Sequence, residues 1–256
     1  MHAVISDIHG NLTALEAVLD DIDSKNIKRV ICIGDIIGYG PKPTECADLV
    51  RRRCEVVICG NHDVAVLSQA FGFNKYARDA IDWTREQVKP GRLSLMAKRS
   101  MWDWLRNLRD RYQEGRTLYV HGSPRDPVME YVEEADTLDM GFGPSDKIRD
   151  IFSRIEWLCF IGHTHHPGVF SSDFKHTHPS KLENGTYVVP EDGKTIVNVG
   201  SVGQPRDGDP RSCYVTVDGD AVQYHRVPYD VEKVIADMGA IDMLDERLGL
   251  RLRQGK

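Results

Sequence analysis

The sequence predicts an α/β protein, and two patterns along its 256 residues support that fold class. Up to residue 168, short β-branched apolar runs alternate with amphipathic helical segments, which is the pattern of βαβ units and a mostly parallel sheet. After residue 168, shorter strands are separated by turn signals such as ENG and EDG, which indicate antiparallel hairpins. We therefore expect one domain over residues 1–256, with sheet-rich halves packed face to face and helices outside.

The predicted elements begin at the first residues, where HAVIS has the composition of a strand. A helix is expected over 12–23, because Leu12, Leu15, Leu19 and Ile22 share one face. Asn11 or Thr13 would cap it, and Thr13 stands in capping-box spacing to Glu16. Further strand-like runs follow at 29–33, 55–59, 117–120 and 157–161.

The segment 72–113 has a helical pattern that only Pro90 and Gly91 interrupt. It lies beside the expected site, so one hypothesis is a lid. The simpler interpretation is a core-facing helix, since apolar residues recur at helical spacing, namely Leu95, Met96, Trp102, Leu105 and Leu108. From about residue 230 the chain is predicted to end in a polar amphipathic helix.

Composition excludes several classes of protein. The formal net charge of -6 offers no overall basic field for nucleic acid or an anionic membrane, and no apolar stretch approaches the length of a membrane span. The six cysteines contain no CxxC pair, and the N-terminus has no charged leader. These features favour a reduced, cytoplasmic protein, and nothing in the pattern predicts an oligomeric state.

Side chains that bind metals follow five of the apolar runs, at the strand ends where open α/β sheets place their ligands. These side chains are Asp7, His9, Asp35, Asn61, His62, Asp63, His121, His163 and His165. Each short motif is weak or moderate evidence by itself, but their joint occurrence predicts a metal site. Asp63 and Asn11 fit the alternative of helix-capping residues equally well.

The donor types narrow the choice of metal. Imidazole, carboxylate and amide groups without thiolate suit Mn, Fe, Zn or Co. More than six donors are too many for one ion, so two ions roughly 3.5–4 Å apart with a shared carboxylate and a bridging water are expected. Two divalent cations against Asp7, Asp35 and a bridging hydroxide leave a positive centre, because Asn61 is neutral, and such a centre attracts a phosphoryl group.

Five motifs in this order, SDIHGN, GDIIGYG, GNHD, HGSP and GHTH, resemble those of the calcineurin-like metallophosphoesterases. The later stretch NVGSVGQPRDGDP is similar to a bacterial and archaeal branch of that superfamily. The resemblance implies a four-layer αββα sandwich of two mixed β-sheets flanked by helices, and hydrolysis of phosphate esters at two divalent metal ions, with Mn or Fe expected first and Zn or Co as alternatives.

Carried over position by position, the resemblance implies that Asp7, His9 and His165 hold the first metal. Asn61, His121 and His163 would hold the second, and Asp35 would bridge the two. His62 is implied as the catalytic residue that protonates the leaving alkoxide, while His166 is expected on the turn.

One departure concerns the second motif, which is GDxxDRG in the serine/threonine protein phosphatases of the superfamily. Gly38 and Tyr39 stand here in place of the acid and the arginine. Arg206 is the candidate that replaces the arginine, and its alternative is a solvated turn residue paired with Asp207 or Asp209. Asn11 and Tyr39 are weaker substrate-binding candidates, with helix capping and packing as their alternatives.

We therefore expect a phosphoesterase with a small phosphorylated substrate, either a phosphomonoester, a phosphodiester or a dinucleoside polyphosphate. A protein serine/threonine phosphatase is the second hypothesis, which the departure at Gly38 and Tyr39 weakens. A third is a non-catalytic scaffold of the retromer-subunit type, against which the intact ligand set and His62 argue.

Overall fold

The computed structural model describes residues 1–138, 141 and 143–256. Within that part of the chain, twelve strands form two six-stranded sheets, and eight α-helices accompany them. The strands are β1 (His2–Ile5), β2 (Val30–Cys32), β3 (Val56–Val57), β4 (Arg111–Glu114), β5 (Thr117–Val120), β6 (Leu158–Ile161), β7 (Gly168–Ser171), β8 (His176–Thr177), β9 (Thr186–Val188), β10 (Thr195–Asn198), β11 (Ser212–Asp218) and β12 (Ala221–Val227). The helices are α1 (Leu12–Ser24), α2 (Pro43–Arg53), α3 (Asn61–Leu67), α4 (Lys75–Val88), α5 (Met96–Arg106), α6 (Asp146–Ser153), α7 (Val231–Gly239) and α8 (Glu246–Leu250).

Both sheets are mixed, which corrects the expectation of a mostly parallel sheet. The first has the order β3-β2-β1-β11-β12-β9, with β1, β2 and β3 parallel and the other neighbours antiparallel. The second has the order β4-β5-β6-β10-β7-β8, with β5, β6 and β10 parallel. The five strands that precede the predicted ligands are therefore divided between two sheets, three in the first and two in the second.

Alternating side chains explain the layered packing. Along β1, Ala3 and Ile5 belong to the apolar cluster under α1 and α2, whereas Val4 belongs to the cluster between the sheets. On the far side of the second sheet, Cys159 and Ile161 of β6 pack in the cluster that includes α6. The order helices, sheet, sheet, helices confirms the predicted α/β sandwich.

The segment 72–113 forms two helices and a strand, since α4 and α5 are followed by the edge strand β4. The expectation of one core-facing helix is wrong at its start, because Leu95 and Met96 are 81% and 86% exposed at the end of the connection to α5. Leu105 is buried as expected. Periodicity identified the helix, but not the turn at which its apolar face begins to contact the core.

The C-terminal tail is also divided. Instead of one helix from about 230, α7 and α8 are separated by a turn, and a 3-10 helix over Arg251–Gln254 follows. Val234, Leu248 and Leu252 are buried in one cluster with Trp83 of α4 and with Tyr39. The tail therefore packs against the side of the molecule that carries the GDIIGYG loop.

None of the helices in the described part of the chain combines the length and the apolar character that a membrane span requires. That residues 1–256 form a single domain stays a prediction.

Candidate metal centre

The carboxyl ends of five strands from the two sheets meet at one place. The loops after β1, β2 and β3 carry four of the predicted ligands, and the loops after β5 and β6 carry three. All seven are buried, namely Asp7, His9, Asp35, Asn61, His121, His163 and His165. The sequence motifs thus mark side chains that the fold brings together from distant parts of the chain.

One group of donors consists of Asp7, His9 and His165, whose ligand atoms all lie within 4.8 Å of one another. The Nε2 atoms of His9 and His165 are 3.0 Å apart, and His165 Nε2 lies 3.2 Å from Asp7 Oδ1. This is the set that the resemblance assigns to the first metal.

The second group consists of Asp35, His121 and His163. His121 Nε2 lies 3.4 Å from Asp35 Oδ2 and 3.1 Å from Asn61 Oδ1. Asp35 Oδ2 also lies 3.5 Å from His9 Nε2, so this carboxylate stands between the two groups. That position is the one a bridging ligand needs.

Backbone carbonyls fix the orientation of three of these imidazoles. His121 Nδ1 lies 2.9 Å from Ile33 O, His165 Nδ1 lies 2.6 Å from Gln204 O, and His163 Nε2 lies 3.1 Å from Met129 O. Because a carbonyl only accepts, each of these ring nitrogens carries hydrogen, and the other nitrogen of the neutral ring is left as an electron-pair donor. The free nitrogens of His121 and His165 therefore face carboxylate oxygen, an arrangement that a cation between them would satisfy.

The electrostatics agree with such a cation. Burial alone would raise the pKa of Asp35, but His121 and His62 hold it well below its ordinary value, so the carboxylate is ionised. Burial likewise lowers the pKa of His163 to about 3. At His121, burial is outweighed by Asp35 and Asp7, which raise the pKa to about 9. In the metal-free protein this raised pKa favours a protonated His121 beside the carboxylates, and a divalent metal ion would displace that proton on binding.

Two further donor atoms point to the same conclusion. Asp7 Oδ1 and His9 Nδ1 are buried without a hydrogen-bond partner among the residues that the structure describes. Such atoms are costly in a protein interior, since they lose their water without replacement. A metal ion would supply the missing interaction to Asp7 Oδ1, and the donor set as a whole fits divalent cations.

The backbone at this centre is strained. Of the nine non-glycine residues with positive φ in the described ranges, six belong to the site: Asp7, His9, Asp35, Tyr39, His163 and His165, with φ between 51° and 67°. The left-handed region costs an L-residue roughly 1–2 kcal/mol. Such strain persists where surrounding structure enforces it, and it is concentrated at functional sites.

Helix α3 and its first residues support the centre from one side. The Asp63 carboxylate accepts hydrogen bonds from the backbone N–H groups of Gly60 and Ile36, at 2.9 and 3.1 Å. The His62 N–H donates to Asp35 Oδ1 at 2.8 Å. Asp63 thus ties the GNHD and GDIIGYG loops together, which agrees with the capping alternative, and it is not one of the grouped donors.

A family model described as the calcineurin-like phosphoesterase superfamily domain matches residues 1–221. The chain belongs to this superfamily. The resemblance that the motifs indicated is thereby confirmed.

Three proteins match this chain over nearly its whole length. An uncharacterised protein of Methanocaldococcus jannaschii is 35% identical over 261 residues, which cover 100% of this chain and 98% of that protein. The crystal structure of a metallophosphoesterase from Sphaerobacter thermophilus is 36% identical, with a TM-score of 0.82, and the match covers 99% of this chain and 98% of that one. A hypothetical protein of Pyrococcus horikoshii has the same fold at 19% identity, with a TM-score of 0.73 and coverage of 100% and 98%.

Within this calcineurin-like centre, His62 lines the cavity, and its ring forms a third, overlapping group of possible metal ligands with His9 and Asp35. Its ring centroid lies 4.8 Å from that of His9 and 4.4 Å from that of Tyr39. Gly38 has φ +102°, and a Cβ at this position would lie 2.6 Å from His62 Nδ1. Glycine therefore leaves room for the imidazole, and His62 Nδ1 is buried without a hydrogen-bond partner in the described ranges.

The three substrate-binding candidates have different outcomes. Arg206 and Tyr39 both line the cavity of about 310 Å³ at the centre. The alternative pairing of Arg206 with Asp207 or Asp209 is not observed, since those acids pair with Arg226 and Arg211.

Asn11 is corrected. Its Oδ1 accepts from Ala14 N at 3.1 Å and its Nδ2 donates to Gly203 O at 2.9 Å, so the amide caps α1 and holds a neighbouring loop. It does not line the cavity, and the capping alternative is the observed one.

Several cavity residues escaped the motif analysis, and those with large side chains are Arg251, Tyr131 and Phe73. Tyr131 stacks on His163 with ring centroids 3.8 Å apart, and Phe73 contacts the edge of the His62 ring at 4.9 Å. Neither aromatic residue stands in a motif. Arg251 carried a signal, because it follows Leu248 by three positions and therefore shares the buried face of an amphipathic segment.

Proposed function

We propose that the protein is a metal-dependent phosphoesterase that hydrolyses phosphate mono- or diesters of small molecules, with one divalent cation held by each donor group. The single observation that carries this proposal is the position of Asp35, 3.5 Å from His9 of one group and 3.4 Å from His121 of the other. A carboxylate shared between two imidazole-rich groups is the arrangement of a dinuclear centre.

Asp7, His9 and His165 would hold the first cation, and Asn61, His121 and His163 the second. When bound, such cations supply an activated water as nucleophile and offset the charge of the phosphoryl oxygens. Mn or Fe is expected, and Zn or Co is compatible, because the donors are nitrogen and oxygen without thiolate. We further propose a cytoplasmic location, where the chain's cysteines stay reduced.

His62 would donate a proton to the leaving oxygen. Burial lowers the pKa of its imidazole to about 4 in the metal-free protein, although Asp35 acts in the opposite direction. A bound phosphate ester brings negative charge beside the ring, which favours the protonated form. Gly38 offers no side chain to His62 Nδ1. The imidazole is therefore held in place by contacts with neighbouring rings and not by a carboxylate partner.

Arg206 would contact the phosphoryl oxygens, since its guanidinium lines the cavity and is not ion-paired within the described chain. Arg206 also lines a second, larger cavity of about 570 Å³, together with His166, His178 and Lys181. The two adjoining spaces fit a substrate whose phosphate lies at the metals while its alcohol part extends past Arg206. This supports a small-molecule ester as substrate.

The test is hydrolysis of p-nitrophenyl phosphate and its bis ester by purified protein supplied with Mn, Fe, Zn or Co, with bound metal counted by elemental analysis. We expect two ions per chain and metal-dependent turnover of at least one ester. Asp35→Asn should lose turnover and at least one ion, whereas the control Asp192→Asn, an exposed turn residue, should keep both. No hydrolysis with any of the four metals would refute the proposal and favour a binding scaffold.

A further inference from the structure

Arg251 brings a second positive charge to the metal cavity from the far end of the chain. It begins the 3-10 helix after α8, and it lines the same cavity as Asp35, His62 and Arg206. It lies beyond residue 221, where the match to the superfamily domain ends. The tail that carries it is anchored by buried Leu248 and Leu252.

The guanidinium of Arg251 is held by an aromatic face and not by an acid. Its Cζ lies 4.9 Å from the centroid of the Tyr39 ring. Its Nε and Nη2 atoms are buried without hydrogen-bond partners in the part of the chain that the structure describes, and the same is true of Arg206 Nε. Arg206 has one polar side-chain contact, from Nη2 to Gln204 Oε1 at 2.8 Å.

Arg253, two residues later, forms a surface ion pair and provides a comparison for Arg251. Its Nε and Nη2 atoms donate to the two carboxylate oxygens of Glu232, both at 2.7 Å, on the protein surface. Among described residues, neither Arg206 nor Arg251 forms an ion pair of this kind. The tail therefore places one arginine in a surface ion pair and the other, uncompensated, in the cavity.

Two uncompensated guanidinium groups on one cavity wall are energetically unfavourable. Burial and the charge of Arg206 lower the pKa of Arg251 to about 10, with Tyr39 acting in the opposite direction. The carboxylates of Asp7 and Asp35 would be neutralised by bound cations, so they do not offset the arginines in the loaded protein. An anion bound in the cavity would interact favourably with both guanidinium groups and with both metal cations at once.

We propose that Arg206 and Arg251 together form an anion-binding pair that selects a dianionic, terminal phosphoryl group over a monoanionic phosphodiester. This inference rests on the proposed phosphoesterase function and names its substrate class. A second guanidinium interacts more strongly with two negative charges than with one, because the Coulomb energy scales with the charge. Arg251 stacked on Tyr39 then supplies the charge that the second motif lacks at position 39.

Binding measurements test the arginine pair independently of turnover. The Kd values of inorganic phosphate and of dimethyl phosphate are measured by calorimetry on manganese-loaded protein at about pH 8, where inorganic phosphate is mostly a dianion and dimethyl phosphate a monoanion. Arg251→Met should weaken phosphate binding about tenfold or more, which is about 1.4 kcal/mol, and dimethyl phosphate binding much less. Arg251→Lys, which keeps the charge and loses the planar fork, should fall between.

Arg253→Met is the matched control and should leave both Kd values unchanged. A merely structural role for Arg251 would lower the melting temperature and leave the ratio of the two Kd values as in the wild type. That result for both Met and Lys variants would overturn the inference.

Steady-state kinetics provide a second test of the arginine pair. In Arg251→Met, kcat/KM for p-nitrophenyl phosphate should fall about tenfold relative to that for the bis ester. An unchanged ratio would contradict the pair while leaving the phosphoesterase proposal intact. If the wild type hydrolyses neither ester but phosphate binding still depends on Arg251, the proposed function fails and the anion site stands.

Discussion

His62 shows how the environment of one residue determines what it can do. The ring contacts His9, Tyr39 and Phe73, and its backbone N–H donates to Asp35, so contacts within the protein fix its position. Gly38 provides space and no hydrogen-bond acceptor side chain. A side chain so placed lines the cavity, where it could exchange a proton with a bound substrate.

We expect His62→Ala to lower kcat roughly 10²- to 10⁴-fold for an alkyl phosphate, whose alkoxide leaving group requires a proton. The loss for p-nitrophenyl phosphate should be smaller, because nitrophenolate leaves without protonation. Steady-state kinetics on both substrates give the two values.

Metal content is the control for that comparison, since His62→Ala should keep both ions. Equal losses on the two substrates would show that His62 positions the centre and does not transfer a proton. Unchanged turnover of the alkyl phosphate would exclude it from the chemistry.

The sequence was sufficient to predict which metal-binding side chains the fold brings together, but not everything around them. Asp7, Asp35 and His121 follow strand-like runs, so strand-end geometry alone predicted their meeting. Arg251 and Tyr131 were missed because their places in the cavity depend on how a tail and an irregular loop fold over it. Asn11 was uncertain because the same amide serves a helix cap and a phosphate contact.

At the scale of secondary-structure elements, the junction between β3 and α3 sets the distance between the two donor groups. Gly60 has an ordinary φ of -106°, so its importance lies in the close approach of Asp35 and not in backbone freedom. A Cβ at position 60 would lie 2.1 Å from Asp35 Oδ1. A side chain cannot fit there unless Asp35 moves, since this Cβ would also lie 2.4 Å from the Asp35 backbone N.

Gly60→Ala should therefore weaken metal binding and destabilise the protein by about 1–3 kcal/mol, the usual cost of overpacking. Thermal unfolding with and without manganese, together with metal titration, measures both effects.

Gly239→Ala is the matched control, because it lies in α7 and a Cβ there meets no atom within 4 Å in the described chain. It should be neutral or stabilising by up to about 1 kcal/mol. Similar behaviour of the two variants would contradict the steric explanation.

Element boundaries were predicted less well than element types. Helix α1 was predicted correctly, because a capping residue precedes a regular apolar face, and of the two expected caps, Asn11 and Thr13, the structure has Asn11. The helix expected over the last part of 72–113 begins with exposed Leu95 and Met96, since periodicity does not identify the partner that covers a face. The tail divides because Leu244 turns back into the cluster that holds Leu248.

For the molecule as a whole, the contact between the two sheets includes a titratable group far from the metals. His2 Nε2 on β1 lies 3.1 Å from the Tyr119 hydroxyl on β5, so this pair joins the first sheet to the second. Burial, with a smaller effect of Arg29, lowers the pKa of His2 to about 4. The folded protein therefore holds His2 neutral where an unfolded chain would protonate it.

This lowered pKa makes the free energy of unfolding depend on pH. Stability from a lowered histidine pKa is fully present above the unfolded value of about 6.5 and is lost as the pH falls toward 4. We expect His2→Gln to lose less free energy of unfolding than the wild type between about pH 7 and about pH 4.5.

Urea unfolding of metal-free protein at the two pH values provides the measurement, since removing metal eliminates proton competition at the ligands. Parallel losses in wild type and variant would show that His2 does not contribute to acid sensitivity.

The division of the donors between the sheets has a consequence for the protein in its cell. Asp7 and Asp35 belong to one half of the sandwich and His121 and His163 to the other, so bound cations would cross-link the two halves. Chelation would then do more than stop turnover, because the halves would separate more often and expose their shared interior to proteases. Scarcity of transition metals would in that way shorten the lifetime of the protein as well as abolish its activity.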